Sequence, residues 1–535
     1  MAHDPRIMTT PAAGSRGRIV VGAWALLALL LVPVFPHFVS PNELSRWAAV
    51  VSLVDRGRLS FDPEVFALLG PRFEDVAERE GRLYPNKAPG AGVAAIPGYL
   101  AARPLTGPPS RASIRPALAA MRWTASTIPV LLLAGFFAAA LRASGAGRGD
   151  VPSALLALLF GTPVLAYGLL LFGHALVALG LFGAWALLFL PGRAESAGRD
   201  AAAGFLLGLA VLSDYPALVP AAILSLAALP GPRPLRRALA IGLGALPPAL
   251  LFFGYNAAAF GGPFSLPVSF ERYGTFRALR EHGAWGIGWP SPANLLRLLL
   301  DPSKGLLVLS PVLFAALAAT PAAVRRLGPR AGATLLAVPA SLLVLYSGFP
   351  DWHGGFTVGA RYVVPAIPFL LLPLAVSRWG PVTTALAGAS TAAVVLTTLV
   401  FPFVPPGFPL PWGSFAAPLL SHGLVAPNLL HLAWRPLAIA VPFLLVLAAA
   451  AAALGRARLS PFLAGAVLWT AAGLFLPALA PLSPPLLVQR GYVEEVYFGR
   501  AGALAASMPE GVPVPPRLRA RMEVETSLPP TPWPF

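Results

Sequence analysis

Long apolar runs constrain this chain more than any other feature. Segments 19–36, 117–141 and 437–454 approach or exceed the roughly 20 apolar residues that a helix needs to cross about 30 Å of hydrocarbon. Because 56% of the residues are hydrophobic and only 11% are charged, these runs are too many and too long for a soluble core. The sequence therefore predicts an all-α polytopic membrane protein.

The apolar runs divide into about thirteen predicted transmembrane helices. Those near residues 201–230 are short enough to be merged or re-entrant, so the count is approximate. The predicted spans are residues 19–36, 116–141, 152–172, 175–191, 201–213, 216–230, 238–260, 305–320, 331–347, 361–376, 381–404, 437–454 and 459–480.

The distribution of Lys and Arg predicts the orientation of these helices. The net charge is +17, but the basic residues stand singly or in pairs in short gaps, so we expect no nucleic-acid partner. With a cytoplasmic N-terminus, every short inner gap is positive, as the positive-inside rule requires. The long segments, which hold most of the acidic, aromatic and amide residues, then lie outside, as does the C-terminus. This arrangement predicts chemistry at the extracytoplasmic face.

The same pattern predicts the domain organisation. We expect a cytoplasmic N-terminus at residues 1–18, a transmembrane domain at 19–480 and a Pro-rich extracytoplasmic tail at 481–535. Residues 37–115 form a large outer first loop within the transmembrane domain. Its stretch AGVAAIPGYLAARPL is apolar but short and interrupted by a Pro-Gly pair, which predicts a helix lying in the membrane interface.

The first loop holds four candidate functional residues, Glu43, Arg46, Tyr84 and Lys87. Glu43 follows a Ser-Pro-Asn helix start and shares a helix face with Arg46, so it fits a general base. An interfacial helix cap with a surface ion pair explains the same spacing, and spacing alone favours that interpretation. Lys87 follows Tyr84-Pro-Asn, where a Lys either reaches lipid headgroups or neutralises a lipid phosphate. Spacing does not decide between these two roles.

Polar residues inside apolar stretches form a second group of candidates. His174 and Asp214 lie at predicted outer ends of spans, where ionisable groups are costly in lipid and indicate function. A hydrogen bond between helices explains them about as well. His174 has no HxxxH or HExxH partner nearby, and the chain has no Cys, which excludes thiolate metal sites and thiol nucleophiles.

Three segments combine an aromatic or basic residue with Gly at a membrane entry. They are YNAAAFGGPFSL, DPSKGLLVLSP and DWHGGFTVGARYVVPAIPFLLLPLA. Gly allows close backbone approach to a ligand, and the neighbouring side chains offer stacking and anion contacts. An interfacial aromatic belt with Gly-rich turns is the simpler explanation for each segment taken singly. The candidate residues are Tyr255, Lys304, Trp352, His353, Arg361 and Tyr362.

Taken in order, these segments resemble the membrane glycosyltransferases of the GT-C type that use polyprenyl-phosphate sugars. The resemblance is to the bacterial branch akin to the protein O-mannosyltransferases and the lipid A aminoarabinose transferases, and it covers roughly residues 40 to 375. The motifs that carry it are NELSR, LVDRGRLSFD, GRLYPNKAPG, LFGHALVALGLF, YNAAAFGGPFS, SKGLLVLSPVL and WHGGFTVGARYVVPAIPFL.

The resemblance implies a cavity at the outer leaflet where a lipid-linked donor meets an acceptor. Glu43 occupies the position where such enzymes place a carboxylate base, while Lys87 and Arg361 match residues near the donor phosphate. The implied reaction is a single inverting displacement by an acceptor hydroxyl. Relatives show a second acidic residue soon after the first, whereas this chain offers no clear equivalent. Where many relatives have WWGG, this chain has DWHGG, so His353 would shape acceptor choice or bind a metal.

The sequence thus predicts a hexosyl- or pentosyltransferase that uses a polyprenyl-phosphate sugar. The acceptor is a glycan, a lipid or a protein, and membrane lipids are the other partners. No cofactor follows from the sequence, and the need for a divalent cation stays open. The resemblance and the Ala-, Arg- and Pro-rich composition indicate the plasma membrane of a bacterium.

Two other functions explain many of the same residues. A transporter or flippase of lipid-linked sugars also needs polar residues within many spans, although here they cluster at the outer face rather than at the midplane. A non-catalytic scaffold with the same fold is the third alternative, because the second acidic residue has no clear equivalent.

Overall fold

The computed structural model describes residues 13–32, 35, 40–69, 73–147, 149–191, 196–498 and 502–514. Within these ranges the chain is a bundle of α-helices with a single two-stranded hairpin. Parts of the predicted N-terminal segment and of the predicted tail, including residues 1–12 and 515–535, lie outside the described residues.

The first half of the chain contains the outer loop and the first membrane helices. Its elements are α1 Ala13–Leu30, α2 Pro41–Arg56, α3 Pro63–Ala67, β1 Val76–Arg79, β2 Arg82–Pro85, α4 Gly90–Thr106, α5 Arg111–Arg122, α6 Ile128–Ala143, α7 Asp150–Phe160, α8 Val164–Tyr167, α9 His174–Phe189, α10 Ala197–Ser213, α11 Leu218–Ala228 and α12 Pro234–Phe260.

The second half alternates long apolar helices with short helices and irregular segments. Its helices are α13 Gly274–Arg280, α14 Pro292–Leu300, α15 Leu306–Leu309, α16 Val312–Leu327, α17 Pro329–Ser347, α18 Ile367–Leu371, α19 Pro381–Val400, α20 Ala417–Ser421, α21 Arg435–Leu479, α22 Pro484–Tyr492 and α23 Ala503–Ala506. Short 3₁₀ turns occupy Tyr215–Ala217, Pro267–Phe270, Arg361–Ala366, Leu372–Ala375 and Leu429–Leu432, and π-helical turns occupy Trp123–Thr127, Trp412–Ala416 and Val493–Tyr497.

Among the described residues, five helices are long and apolar enough to cross a membrane. They are Arg111–Ala143, Pro234–Phe260, Pro329–Ser347, Pro381–Val400 and Pro436–Leu479. Shorter apolar segments are Asp150–Phe160, His174–Phe189, Tyr215–Ala228 and Arg361–Ala375. The chain is therefore a helical integral membrane protein, while the number of thirteen crossings stays a prediction.

Helix α21 spans two of the predicted crossings without a loop between them. Gly455 interrupts it with φ 67° and ψ 177°, values that a helix does not contain and that Gly adopts at low cost. The segment is thus two helices that meet at a kink, at the place where the Arg-containing sequence GRAR predicts an inner gap.

The outer first loop has a small hydrophobic core of its own. Helix α2 packs against α4, and buried Trp47, Phe61, Tyr99 and Ile114 contribute to this core. Leu171, from the turn between α8 and α9, lies in the same cluster, so the loop is packed directly onto the membrane helices. Helix α4 forms in spite of two internal prolines, Pro97 and Pro104; its location in the membrane interface stays a prediction.

Helices α10 and α12 approach each other closely through glycines. A Cβ atom at Gly204 would lie 2.0 Å from the carbonyl oxygen of Ile241, and one at Gly244 would lie 1.8 Å from that of Ala201. Small residues let membrane helices pack backbone against backbone, which supplies dispersion contacts in the absence of a hydrophobic driving force. This contact fixes the two helices that form one wall of the cavity described below.

We predict that Gly244→Ala destabilises the protein, because the added methyl group overlaps the α10 backbone and forces the helices apart. Overpacking of this kind costs about 1–3 kcal/mol. Gly242→Ala is the matched control, since nothing lies within 4 Å of a Cβ at that position of the same helix. Its melting temperature should equal or slightly exceed that of the wild type. Thermal unfolding in detergent, followed by tryptophan fluorescence, measures both; equal melting temperatures for the two variants would contradict the close packing.

Candidate functional site

A cavity of about 700 Å³ lies between the first loop, the outer segment 264–287 and helices α10 to α12. Its walls differ sharply in chemistry. The membrane helices supply an apolar wall, whereas the first loop and the 3₁₀ turn at Arg361–Ala366 supply charged side chains. The apolar wall includes Leu207, Val211, Leu218, Ala222, Ala245, Pro248, Phe252 and Phe253.

The polar wall of the cavity is strongly cationic. Of the described residues that line it, Arg46, Lys87, Arg280 and Arg361 are cations, and Asp214 is the single carboxylate. Burial lowers the pKa of Arg46 to about 10, which still leaves the guanidinium charged at neutral pH. Four cations facing one carboxylate create a positive potential, and a buried site makes such a potential stronger than it would be in water.

Lys87 is held by a polar network at the end of the β1–β2 hairpin. Its Nζ donates to Asp75 Oδ1 at 3.2 Å. Asn86 donates through Nδ2 to Glu271 Oε1 at 2.7 Å and to Asp75 Oδ1 at 3.4 Å. Burial lowers the pKa of Lys87, while the neighbouring Asp75 and Glu271 partly offset that effect. The network fixes the direction in which the ammonium group points.

The pKa values of the two carboxyl groups in this network, Asp75 and Glu271, are shifted in opposite directions. Burial raises the pKa of Asp75, but the Lys87 ammonium and the Asn86 amide outweigh it, so that its pKa lies below the usual range. Burial raises the pKa of Glu271 to about 7, because its contacts with Lys87 and Asn86 compensate only in part. Asp75 therefore supplies the steady negative charge beside Lys87, and Glu271 titrates near neutral pH.

Arg361 is positioned by aromatic rings and by a tight turn. Its Nη2 donates to the hydroxyl of Tyr362 at 3.0 Å, and its guanidinium carbon lies 5.7 Å from the ring centre of Phe172. Gly354 has φ 73°, and a Cβ there would lie 2.7 Å from Cγ of Arg361. The Gly-Gly pair of the DWHGG sequence thus allows the turn to pack directly on this side chain.

Asp214 caps the C-terminal end of α10 and faces the cavity. Its Oδ2 accepts a hydrogen bond from the hydroxyl of Tyr346 at 2.8 Å and lies 3.9 Å from Nδ1 of His174. The Tyr346 ring stacks on Tyr362 with 4.7 Å between ring centres. A continuous set of contacts therefore joins Asp214 to the Tyr362 hydroxyl that Arg361 contacts.

Glu43 is fully engaged in structural contacts. Arg122 donates to it twice, from Nε to Oε1 at 2.8 Å and from Nη2 to Oε2 at 2.7 Å. The backbone N–H of Leu171 donates to Oε1 at 2.6 Å. The carboxylate is 2% exposed and does not belong to the described lining of the cavity. Its neighbour Asn42 lines the cavity instead.

The structure brings half of the predicted site residues together. Those that line the cavity are Arg46, Lys87, His174, Asp214, Arg361 and Tyr362. Those outside the described lining are Glu43, Tyr84, Tyr255, Lys304, Trp352 and His353.

Three of the residues outside the lining form packing or hydrogen-bond contacts that link distant segments. Tyr84 and Tyr255 pack around Phe260. The Nζ of buried Lys304 donates to the carbonyl oxygens of Thr357 and Val404, which ties three segments together. Their predicted part in substrate binding stays a prediction.

Sequence reasoning missed several residues of the site. Asn86 stands beside Lys87 in a motif already singled out, so its role could have been inferred. No sequence motif marks the other missed residues, because their contacts are with residues distant in the sequence. They are Arg122, Glu271, Arg280 and Tyr346. In the described part of the chain, no group of three or more His, Asp or Glu residues is arranged to hold a metal ion.

We predict that Glu271 makes stability depend on pH. Its pKa is higher in the folded state than the ordinary 4.5, so the folded protein binds the proton more tightly. The stabilisation is complete below about pH 4.5 and is lost as the pH rises through about 7. The difference amounts to roughly 3 kcal/mol.

Melting temperatures of Glu271→Gln and wild type, measured from pH 4.5 to 8, test this expectation. The variant should lose much of the decline with rising pH that the wild type shows. Glu64→Gln is the control, because Glu64 is exposed and forms only a surface ion pair with Arg56. An equal pH slope in Glu271→Gln and the wild type would contradict the raised pKa.

Comparison with known proteins gives structural matches only. No model of a protein family matches the sequence, and no curated protein does. The crystal structure of apo ArnT from Cupriavidus metallidurans matches with a TM-score of 0.50 and 16% sequence identity, covering 86% of this chain and 75% of that one. ArnT bound to undecaprenyl phosphate matches with a TM-score of 0.47 and 15% identity, covering 94% of this chain and 81% of that one. The chain has the fold of ArnT, which confirms the fold that the sequence resemblance implied.

Proposed function

We propose that this protein is a membrane glycosyltransferase that takes its sugar from a polyprenyl-phosphate donor. The observation that carries the proposal is the two-faced cavity, with four cations on one wall and an apolar wall made by membrane helices on the other. The fold shared with ArnT supports a transferase in general, whatever the sugar.

The cationic wall suits the phosphate of such a donor. Arg46, Lys87 and Arg361 converge from three different elements, and a phosphate group can accept hydrogen bonds from several cations at once. Phosphate leaving groups depart with extra charge on oxygen, so preorganised cations stabilise the transition state more than the ground state. Asp75 and Asn86 hold Lys87 in place without neutralising the whole wall.

The apolar wall suits the lipid part of the donor. Helices α10, α11 and α12 line the cavity with apolar side chains, and exposed Leu218 and Phe264 also contribute to its lining. A soluble nucleotide sugar would gain nothing from such a wall, whereas a prenyl chain can extend from the cavity into the bilayer. We therefore place membrane lipids and a lipid-linked donor among the partners of this protein.

The proposed reaction is a single displacement with inversion at the sugar. The acceptor hydroxyl oxygen forms a bond to the anomeric carbon as the bond from that carbon to the phosphate oxygen breaks. The polyprenyl phosphate leaves with the bonding electron pair, and a carboxylate takes the hydroxyl proton. The transferred group is a hexose or pentose, and the acceptor is a glycan, a lipid or a protein.

The predicted topology places this chemistry outside the plasma membrane of a bacterium. The N-terminus is then cytoplasmic and the C-terminus extracytoplasmic. The first loop at 37–115 contributes Arg46 and Lys87 to the cavity, in keeping with a catalytic outer loop. A divalent cation has no assigned role in this scheme.

We predict that Lys87→Gln weakens the binding of undecaprenyl phosphate by about 10- to 100-fold. A charge-assisted contact to phosphate contributes roughly 1.5–3 kcal/mol, which corresponds to that range. Arg272→Gln is the matched control, because the Arg272 side chain lies outside the described lining of the cavity and forms an exposed ion pair with Glu78. Binding is measured with the purified protein in detergent or nanodiscs, and Lys87→Arg should restore part of it.

A second measurement separates the transferase from the alternatives. Membranes containing wild type should transfer labelled sugar from one of a panel of polyprenyl-phosphate sugars, and Lys87→Gln should not. A flippase would move the lipid-linked sugar across vesicles without forming a new glycosidic bond. A scaffold would do neither. Unchanged binding and transfer in Lys87→Gln would overturn the proposed phosphate site.

A further inference from the structure

We infer that Asp214, rather than Glu43, is the carboxylate that accepts the proton of the acceptor hydroxyl. The inference rests on the proposed transferase function and assigns one further role within it. Two independent observations carry it: the contacts that occupy Glu43, and the placement of Asp214 in the wall of the cavity.

The contacts of Glu43 leave it poorly suited to a base. Its Oε1 accepts from Arg122 Nε and from the N–H of Leu171, while its Oε2 accepts from Arg122 Nη2. Protonation would place a proton on an oxygen already facing donors and would leave the Arg122 guanidinium buried without its counter-charge. Both side chains are nearly inaccessible, at 2% exposed for Glu43 and 5% for Arg122. Glu43 is a positioning residue for the start of α2.

The side chain of Asp214, unlike that of Glu43, belongs to the described lining of the cavity. It is 27% exposed. Its Oδ2 accepts from the Tyr346 hydroxyl, and no donor within the described part of the chain contacts its Oδ1. One oxygen therefore fixes the carboxylate, and the other is free to face an acceptor hydroxyl.

Asp214 also lies close to the proposed leaving group. The Tyr346 ring, whose hydroxyl holds Asp214, stacks on Tyr362, and the Tyr362 hydroxyl accepts from Arg361. Asp214 and Arg361, the inferred base and a proposed phosphate ligand, are thus joined by three side-chain contacts within one cavity. An inverting displacement needs this arrangement, because the attacking and leaving oxygens bond to the same anomeric carbon from opposite sides.

His174 completes the acceptor side of the site. Its ring stands edge-on to Tyr362, with 6.0 Å between ring centres. Its Nδ1 lies 3.9 Å from Asp214 Oδ2 and has no hydrogen-bond partner among the described residues. His174 thus packs beside Asp214 and Tyr362, and the acceptor hydroxyl proton passes to Asp214 Oδ1 as the acceptor oxygen bonds to the anomeric carbon.

The test measures undecaprenyl phosphate binding and sugar transfer in the same set of variants. Asp214→Asn should bind undecaprenyl phosphate within about twofold of the wild type. Its transfer rate at saturating donor should fall by about 100- to 10,000-fold, the usual effect of losing a general base. Asp214→Glu should recover part of the rate, because it restores a carboxylate at the same place.

Glu43→Gln and Glu64→Gln serve as comparisons. Glu43→Gln should lower the melting temperature, and binding and transfer should fall together in proportion to the folded protein that remains. Glu64→Gln changes an exposed carboxylate of the same outer loop and should leave all three readouts unchanged.

The possible outcomes separate this inference from the proposed function. Transfer at the wild-type rate in Asp214→Asn would overturn the inference while leaving the transferase intact. Loss of undecaprenyl phosphate binding in Asp214→Asn would make Asp214 a binding residue, which also overturns it. A wild type that binds no undecaprenyl phosphate, or transfers from no donor of the panel, would overturn the proposed function and the inference with it.

Discussion

The buried ion pair between Glu43 and Arg122 determines how the outer loop meets the membrane helices. It joins the start of α2 to the end of α5, and the added bond from Leu171 attaches both to the turn before α9. Because α2 is fixed there, Asn42 and Arg46 turn toward the cavity while Glu43 turns away. Removing one partner of such a pair would leave an uncompensated buried charge, so the geometry of the polar wall depends on this contact.

A second network fixes the opposite side of the cavity. The hairpin carries Asp75 and Lys87, and Glu271 of the outer segment reaches Asn86 between them. The backbone of Arg272 also donates to Val76 of the hairpin, so the outer segment is attached both by side chains and by main chain. Lys87 is therefore held at the cavity by its ion pair with Asp75, which Asn86 contacts in turn, whereas a Lys at a lipid surface would have many rotamers.

The sequence predicted the class of fold, since this depends on local patterns. Apolar runs identify membrane helices, and the motif around Lys87 identifies one wall of the cavity. The direction of Glu43 was not predictable, because it depends on Arg122, which lies 79 positions later in a segment without a motif. The contacts of Lys304 show the same dependence, because its ammonium donates to carbonyls of two distant loops; its part in substrate binding stays a prediction. The direction of such side chains depends on contacts between residues distant in the sequence, and the hydrophobic periodicity of the sequence gives no information about these contacts.

The different roles of the carboxylates depend on the group that lies beside each of them. Glu43 and Asp75 each have a dedicated cation, Arg122 and Lys87, within hydrogen-bonding distance. Asp214 has a neutral tyrosine as its donor and faces the cavity with its other oxygen. A carboxylate neutralised by its own cation gains little by taking a proton, whereas one held by a neutral donor keeps its basicity. The same rule explains why the cavity can be cationic enough for a phosphate and still hold a base: the cations that would quench Asp214 are oriented by aromatic rings and by other carboxylates.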